Sequence, residues 1–199
     1  MLYMYKILRT FIPLVTFYYF SMSIKQFNHD EFFKKALEYP PVAREFCETY
    51  LPDYIMNIVD LSTLKMQKES FIEKSLKKHY CDVLFSVKMD DKPGYLFFLA
   101  EHQSRSEHFM ALRLFKYQIE IWRRYISQNP KAEHLPLIYA AVFYNGKAPY
   151  AASTNIMELF HDKDLSRKIF LDGYKLINLN DIADEELRKQ AGQGRCRFS

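Results

Sequence analysis

Cysteine is scarce in this chain, with Cys47, Cys81 and Cys196 as the 3 cysteines among 199 residues. This odd, scattered set forms neither a disulfide framework nor a C-x-x-C pair, so we expect a reducing, cytoplasmic compartment. The histidines and cysteines also lack the close spacings of structural zinc sites. A G-x-S-x-G motif is absent as well, which argues against a serine hydrolase of that type.

The chain lacks the run of about 20 apolar residues that a membrane-spanning helix needs. Near the N-terminus, the apolar run from Phe11 to Phe20 follows Lys6 and Arg9, but no small-x-small cleavage site comes after it. We interpret residues 1–21 as an extension from an upstream start, with Met22 as the natural start. A targeting segment on a membrane-anchored protein is the alternative, and no membrane partner is expected.

The composition is that of one globular domain, because 49% of the residues are hydrophobic and 17% are aromatic. We place this domain at residues 22–190 and treat residues 191–199, which have no periodicity, as an irregular tail or the remainder of a truncation. Lysine and arginine number 28 and acidic residues 24, a net charge of +4. This mildly basic balance permits a nucleic-acid partner without requiring one.

Helical and strand-like patterns alternate from Met22 onward. A helix is predicted from Asn28 or Asp30 to about Glu48, followed by a polar, mixed stretch at Ser62–Lys78 with a short strand at Phe71–Leu76. The remaining predictions are strands at Asp82–Met89, Tyr95–Gln103, Leu137–Tyr144 and Lys175–Leu179, a turn at Asp90–Gly94, and helices at Glu107–Gln128, Ile156–Phe160 and Asp181–Gln190. This order predicts an α/β fold with a mixed β-sheet flanked by helices.

The predicted hairpin brings two carboxylates together. Across the predicted turn Asp90–Gly94, the pairing of Met89 with Gly94 places Asp82 directly opposite Glu101, with Cβ atoms ~5 Å apart. Gln103 follows on the same face by strand alternation. Opposed carboxylates repel each other, and Mg²⁺ or Mn²⁺ resolves that repulsion while leaving room for phosphate oxygens. From spacing alone, the alternative is that both acids are strand-end residues in solvent.

Three segments give the chain a resemblance to a known family. They are NHDEFFK (28–34), CDVLFSVK (81–88) and AEHQSRSEHFMALRLFKY (100–117), with LPLIYAAVFYNG (135–146) as a fourth similar stretch. They resemble the recombination-promoting nucleases, also described as transposases, of the PD-(D/E)XK superfamily, over roughly residues 28–190. The resemblance implies a restriction-endonuclease-like core that cleaves DNA with Mg²⁺ or Mn²⁺ and acts in recombination or transposition.

The same resemblance implies roles for individual residues. Asp82 and Glu101 hold the metal, the backbone carbonyl of His102 is a third ligand, and Asp30 resembles an acidic residue that some members use as support. Gln103 stands where the superfamily usually has a lysine, so it can orient a water but supplies no positive charge. This departure keeps open a catalytically inactive or truncated transposase-derived DNA-binding protein.

Basic residues near the predicted site are the candidates for contact with the DNA backbone, namely Arg105, Arg113 and Lys116. Most basic runs are simply solvated faces, so their charge alone does not decide this role. DNA is the expected partner, a homodimer is one further arrangement, and no small-molecule cofactor is expected.

Overall fold

The computed structural model describes residues 29–67, 81–101, 106–144, 146 and 148–178. For residues 29–32, Cys81, Asp82 and Glu101 it describes the backbone alone. The chain divides into two compact units, the first ending at Ile156 and the second beginning at Met157. The described helices and strands are α1 (His29–Leu37), α2 (Pro40–Tyr50), α3 (Asp53–Met56), β1 (Val59–Met66), β2 (Cys81–Met89), β3 (Lys92–Glu101), α4 (Met110–Gln128), β4 (Leu137–Tyr144), a 3-10 helix at Ile156–Leu159, and α5 (Lys163–Leu171).

The sheet is mixed and has the strand order β1-β2-β3-β4. β1 and β3 both pair with β2 in antiparallel orientation, and β4 pairs with β3 in parallel orientation. A parallel connection needs a crossover, and α4 supplies it between β3 and β4. The predicted α/β fold with a mixed sheet between helices is confirmed, and it is consistent with a restriction-endonuclease-like core.

A hydrophobic core lies on each face of the sheet, because the central strands alternate their side chains between two helical layers. One face packs against α1 and α2 through Val83, Phe85, Val87, Leu96 and Phe98. The other face packs against α4 through Leu84, Tyr95, Phe97 and Leu99. The prediction that β3 is apolar on both faces is confirmed by the burial of every residue from Gly94 to Ala100.

The hairpin between β2 and β3 differs from the prediction. Met89 pairs with Lys92, so the connection is the two residues Asp90 and Asp91, with φ of 48° and 60°. Two consecutive positive φ angles are typical of the type I′ turn, whose twist matches the flanking strands. The predicted five-residue turn was wrong because the sequence offers Gly94 as the obvious turn residue. Instead Gly94 lies in β3, where an added Cβ would approach the Met89 side chain to 2.7 Å.

The predicted N-terminal helix is two helices, α1 and α2. Tyr39, between them, has the extended angles φ −86° and ψ 113° and precedes Pro40 at the start of α2. A residue before proline is disfavoured in the helical region, and proline suits the first helical turn. The helix therefore ends and restarts at this point.

β1 was not predicted from the sequence. This strand lies at the edge of the sheet, and its polar sequence shows no clear alternation of apolar and polar residues. Its register with β2 shifts between Asp60 and Lys65, where a bulge separates the two paired stretches. The Asp60 carboxylate accepts hydrogen bonds from the backbone and hydroxyl of Ser62, at 2.9 and 2.6 Å. Thr63 Oγ1 accepts a hydrogen bond from the Lys88 backbone N–H at 2.9 Å, which ties the bulge to β2. The strand predicted for residues 71–76 lies outside the described residues.

In the second unit, α5 was not predicted, whereas the strand predicted from Lys175 is wrong over its described part, since residues 173–178 form no strand. Asp162 caps α5 by accepting a hydrogen bond from the Leu165 backbone N–H at 2.8 Å. The segments predicted for residues 1–21, 181–190 and 191–199 lie outside the described residues. Among the helices that are described, none is long and apolar enough to span a membrane.

Candidate active site

Asp82 and Glu101 occupy neighbouring ends of the two central strands. Asp82 is the second residue of β2 and pairs with Leu99, while Glu101, the last residue of β3, lies two positions beyond Leu99. Both positions belong to the sheet face that packs against α4, as Leu84 and Leu99 do. The predicted direct opposition of the two acids is therefore wrong, and they are diagonal neighbours, roughly 7–8 Å apart. Because the register shift is two residues, the prediction that they share a face is retained.

Tyr144 lies next to Glu101, as its partner in the parallel pair of β3 and β4. Its hydroxyl donates a hydrogen bond to the Ala148 carbonyl at 2.9 Å, and its ring centroid lies 5.1 Å from that of Tyr150. Sequence reasoning placed Tyr144 at the end of a strand but gave it no role. The end of the parallel pair is nevertheless where α/β sheets tend to place their binding residues.

The other proposed ligands fall outside the described geometry. His102, Gln103 and Arg105 are not among the described residues, and Asp30 is described by its backbone alone. Asp30 belongs to α1, which packs on the sheet face opposite to the positions of Asp82 and Glu101. The described side chains contain no group of three or more His, Cys, Asp or Glu residues that could hold a metal. The predicted metal ligands therefore stay a prediction.

Arg113 and Lys116, the two described candidates for DNA contact, differ in their surroundings. The Arg113 side chain is 12% exposed, and its Nη1 lies 2.5 Å from Glu107 Oε2. Its guanidinium carbon lies 6.0 Å from the centre of the Tyr117 ring, one turn further along α4. Lys116 is exposed. Arg113 thus joins α4 to the segment before it, whereas Lys116 is available to a partner.

A second contact holds the chain after β4 against the segment that leads into α4. The Ser106 hydroxyl oxygen accepts a hydrogen bond from the Ala151 backbone N–H at 3.1 Å. This contact crosses 45 residues of sequence and brings residues 148–154 alongside the start of α4. No sequence pattern predicts this contact, since a single serine in a loop has many local partners.

Cys47, the cysteine whose side chain is described, lies in the core and not near the acidic positions. It is fully buried on the α1–α2 face of the sheet. Burial, with a smaller effect from Glu48, raises the pKa of the Cys47 thiol to about 12. The thiolate is the reactive form of cysteine, so Cys47 is not a nucleophile at neutral pH.

The fold is an α/β domain with a mixed sheet, and carboxylate residues stand at the start of β2 and at the neighbouring end of β3. The family model described as "Putative transposase, YhgA-like" matches residues 27–193. The chain therefore belongs to this family, and the resemblance stated from its sequence segments is confirmed.

Several named relatives come from Escherichia coli strain K12. The chain is 38% identical over 162 residues to recombination-promoting nuclease RpnC, covering 80% of this chain and 53% of that protein. It is 36% identical over 169 residues to recombination-promoting nuclease RpnA, covering 83% of this chain and 57% of that protein. It is also 36% identical over 160 residues to the inactive recombination-promoting nuclease-like protein RpnE, covering 80% of this chain and 53% of that protein. The chain thus spans about half the length of these relatives, and no solved structure matches it.

Proposed function

We propose that this chain is a metal-dependent DNA endonuclease in which Asp82 and Glu101 hold Mg²⁺ or Mn²⁺. The observation that carries the proposal is the register of β2 and β3, which sets both positions on one face at one end of the sheet. Two relatives are named as recombination-promoting nucleases, which supports nuclease chemistry and a role in recombination.

The donor set fits a hard divalent cation. Mg²⁺ is usually bound by one or two carboxylates, with water and substrate phosphate completing the coordination. Two carboxylate residues at diagonal positions of neighbouring strands, roughly 7–8 Å apart, leave space for a cation between them. The backbone carbonyl of His102, the residue after Glu101, is the further oxygen ligand in this proposal.

Each residue of the proposed site has a distinct task. A bound divalent cation activates water and neutralises charge on the scissile phosphate. Asp82 and Glu101 position the cation against the phosphate, and Gln103 orients the attacking water by hydrogen bonding. Gln103 supplies neither a positive charge nor a titratable proton, so its contribution is positioning alone.

Lys116 and Arg105 are the residues that we propose for contact with the DNA backbone, since an exposed cation can neutralise a phosphate. Arg113 has a different role in this proposal. With its side chain largely buried and paired to Glu107, it stabilises the entry to α4.

A second candidate is a DNA-binding protein without cleavage activity. One observation favours it, because a relative of 36% identity is named as inactive. The glutamine at position 103, where the superfamily usually has lysine, points in the same direction. Retained DNA binding without metal-dependent cleavage would identify this candidate.

The test of the proposed function is cleavage of supercoiled plasmid by the purified chain in Mg²⁺, in Mn²⁺ and in EDTA. The endonuclease proposal expects nicked and linear products with either metal and none in EDTA. Binding of the same DNA, measured in Ca²⁺ by gel shift, separates an inactive DNA-binding protein from one that does not recognise DNA.

A further inference from the structure

A cavity of about 240 Å³ lies on the sheet face that packs against α4. Its floor is formed by alternate residues of β4, namely Ala140, Val142 and Tyr144, and its wall by Met110 and Leu114 of α4. Residues 150–154 close its third side, with Tyr150 and Thr154 among the lining residues. Nothing in the proposed cleavage chemistry uses this cavity.

The strand register places the cavity beside the acidic positions. Tyr144 pairs with Glu101, and Val142 pairs with Leu99, which in turn pairs with Asp82. Paired strands lie about 4.8 Å apart, so the cavity floor is one strand away from Glu101 and two from Asp82, on the same face. A group held in the cavity therefore lies beside the strand ends that carry Asp82 and Glu101.

The lining has the chemistry that an isolated nucleobase needs. Methionine, leucine and valine side chains present apolar surface, and the rings of Tyr144 and Tyr150, which meet at 72°, add aromatic surface to the lining. A base has an apolar face that stacks on aromatic rings and an edge that forms hydrogen bonds. Ser153 and the exposed Thr154 contribute hydroxyl-bearing side chains to the lining. The volume is below the roughly 300–1,000 Å³ of pockets for drug-sized ligands, which suits one base.

We propose that this cavity is a subsite that receives one unpaired nucleobase of the DNA substrate, next to the phosphate that is cleaved. The inference rests on the proposed function, since it takes DNA as the ligand. An unpaired base enters such a subsite at lower cost than a paired one, because no stacking or pairing has to be broken. The chain then prefers DNA that contains single-stranded or unpaired nucleotides over fully paired duplex.

The test compares two single-stranded oligonucleotides of equal length, one with normal bases and one with abasic sites throughout its central part. Both carry the same phosphates, so their difference in affinity reports contacts with bases. Anisotropy of a fluorescent label is measured with the full chain in Ca²⁺, which separates binding from cleavage. We expect the wild-type chain to bind the strand with bases about tenfold more tightly, equivalent to about 1.4 kcal/mol.

Substitutions in the cavity test whether it is the source of this difference in affinity. Tyr150→Ala removes one aromatic wall and Thr154→Phe fills the rim, and both should reduce the tenfold preference to about twofold or less. Tyr150→Phe keeps the ring and should retain the preference. Tyr54→Ala is the matched control, because Tyr54 is 66% exposed and packs against Tyr139, which belongs to the opposite core. Thermal melting of each variant confirms that the fold is intact.

Each outcome has one meaning. Loss of the preference in Tyr150→Ala and Thr154→Phe, with retention in Tyr150→Phe and Tyr54→Ala, supports the subsite. An unchanged preference in the first two variants overturns it and places the base elsewhere. Equal affinity of the wild-type chain for both strands overturns the subsite but leaves DNA as a ligand. Absence of binding to either strand overturns the subsite, while the plasmid gel shift in Ca²⁺ decides separately whether duplex DNA is a ligand.

Discussion

Asp82 lies directly opposite Leu99 in the antiparallel pair of β2 and β3, and this pairing fixes its relation to Glu101. Glu101 is two residues further along β3, so the two acidic residues occupy diagonal positions on one face. A diagonal pair repels less strongly than an opposed pair and keeps room between the two side chains for a cation.

Divalent metal should stabilise the folded chain. A ligand that binds only the native state adds RT ln(1 + [L]/Kd), which is about 2.7 kcal/mol at a concentration of 100 Kd. Calorimetry in Mg²⁺ or Mn²⁺ should therefore show a higher Tm than in EDTA. Asp82→Asn should remove most of the increase, whereas Glu133→Gln, at an exposed loop position, should keep it. A wild-type Tm that does not respond to saturating metal would argue against a metal site.

Gln103→Ala should slow cleavage without preventing metal binding, because misplacement of the attacking water is costly. Gln103→Lys restores the cation usual in the superfamily and should be at least as active as the alanine variant, since it can stabilise charge in the transition state. Rates are compared at saturating metal, because a cation near the site lowers metal affinity. If Gln103→Ala cleaves as fast as wild type, Gln103 has no catalytic role.

Lys116→Ala and Arg113→Ala should have different effects. Removing exposed Lys116 should weaken DNA binding and reduce the slope of log K against log salt by about 0.9, while Tm stays constant. Removing Arg113 breaks its ion pair with Glu107 and should lower stability by about 1–3 kcal/mol. Binding titrations at several salt concentrations and urea unfolding measure the two effects. An Arg113→Ala protein of unchanged stability but weaker DNA binding would make Arg113 the DNA contact.

The two-residue turn gives a prediction about stability. Asp91 has φ of 60°, a conformation that glycine adopts freely and alanine does not. Asp91→Gly should be more stable than Asp91→Ala by about 1 kcal/mol in urea unfolding, with wild type between them or level with the glycine variant. Equal stability of the two variants would contradict the turn at Asp90-Asp91 and, with it, the register that places Asp82 opposite Leu99.

The sequence predicted well those features that depend on periodicity. Alternation placed Asp82 and Glu101 on one face of the sheet. This placement is correct although the predicted register was wrong by two residues, because strand side chains return to the same face every two residues. The strand Leu137–Tyr144 was predicted with its observed bounds, since an uninterrupted apolar run admits few alternatives, but its residues are half-buried or exposed and not fully buried as expected.

Other features depend on local backbone states or distant contacts. Two aspartates with positive φ form the turn, although the nearby glycine is the more obvious turn residue. Pro40 divides a pattern that is otherwise helical, and β1 has a bulge that hides its alternation. The contact between Ser106 and Ala151, 45 residues apart, has no signature in either segment. The cavity beside Tyr144 was unpredictable for the same reason, because three distant segments form it.

Plasmid cleavage by single alanine variants shows whether Asp82 and Glu101 hold a catalytic metal. The wild-type chain should convert supercoiled plasmid to nicked and linear forms in Mg²⁺ or Mn²⁺ but not in EDTA. Asp82→Ala and Glu101→Ala should each abolish cleavage, and removing one of two like charges should leave the metal-free Tm unchanged or higher. Glu133→Ala should cleave like wild type. A folded Asp82→Ala protein that cleaves at the wild-type rate would contradict the claim.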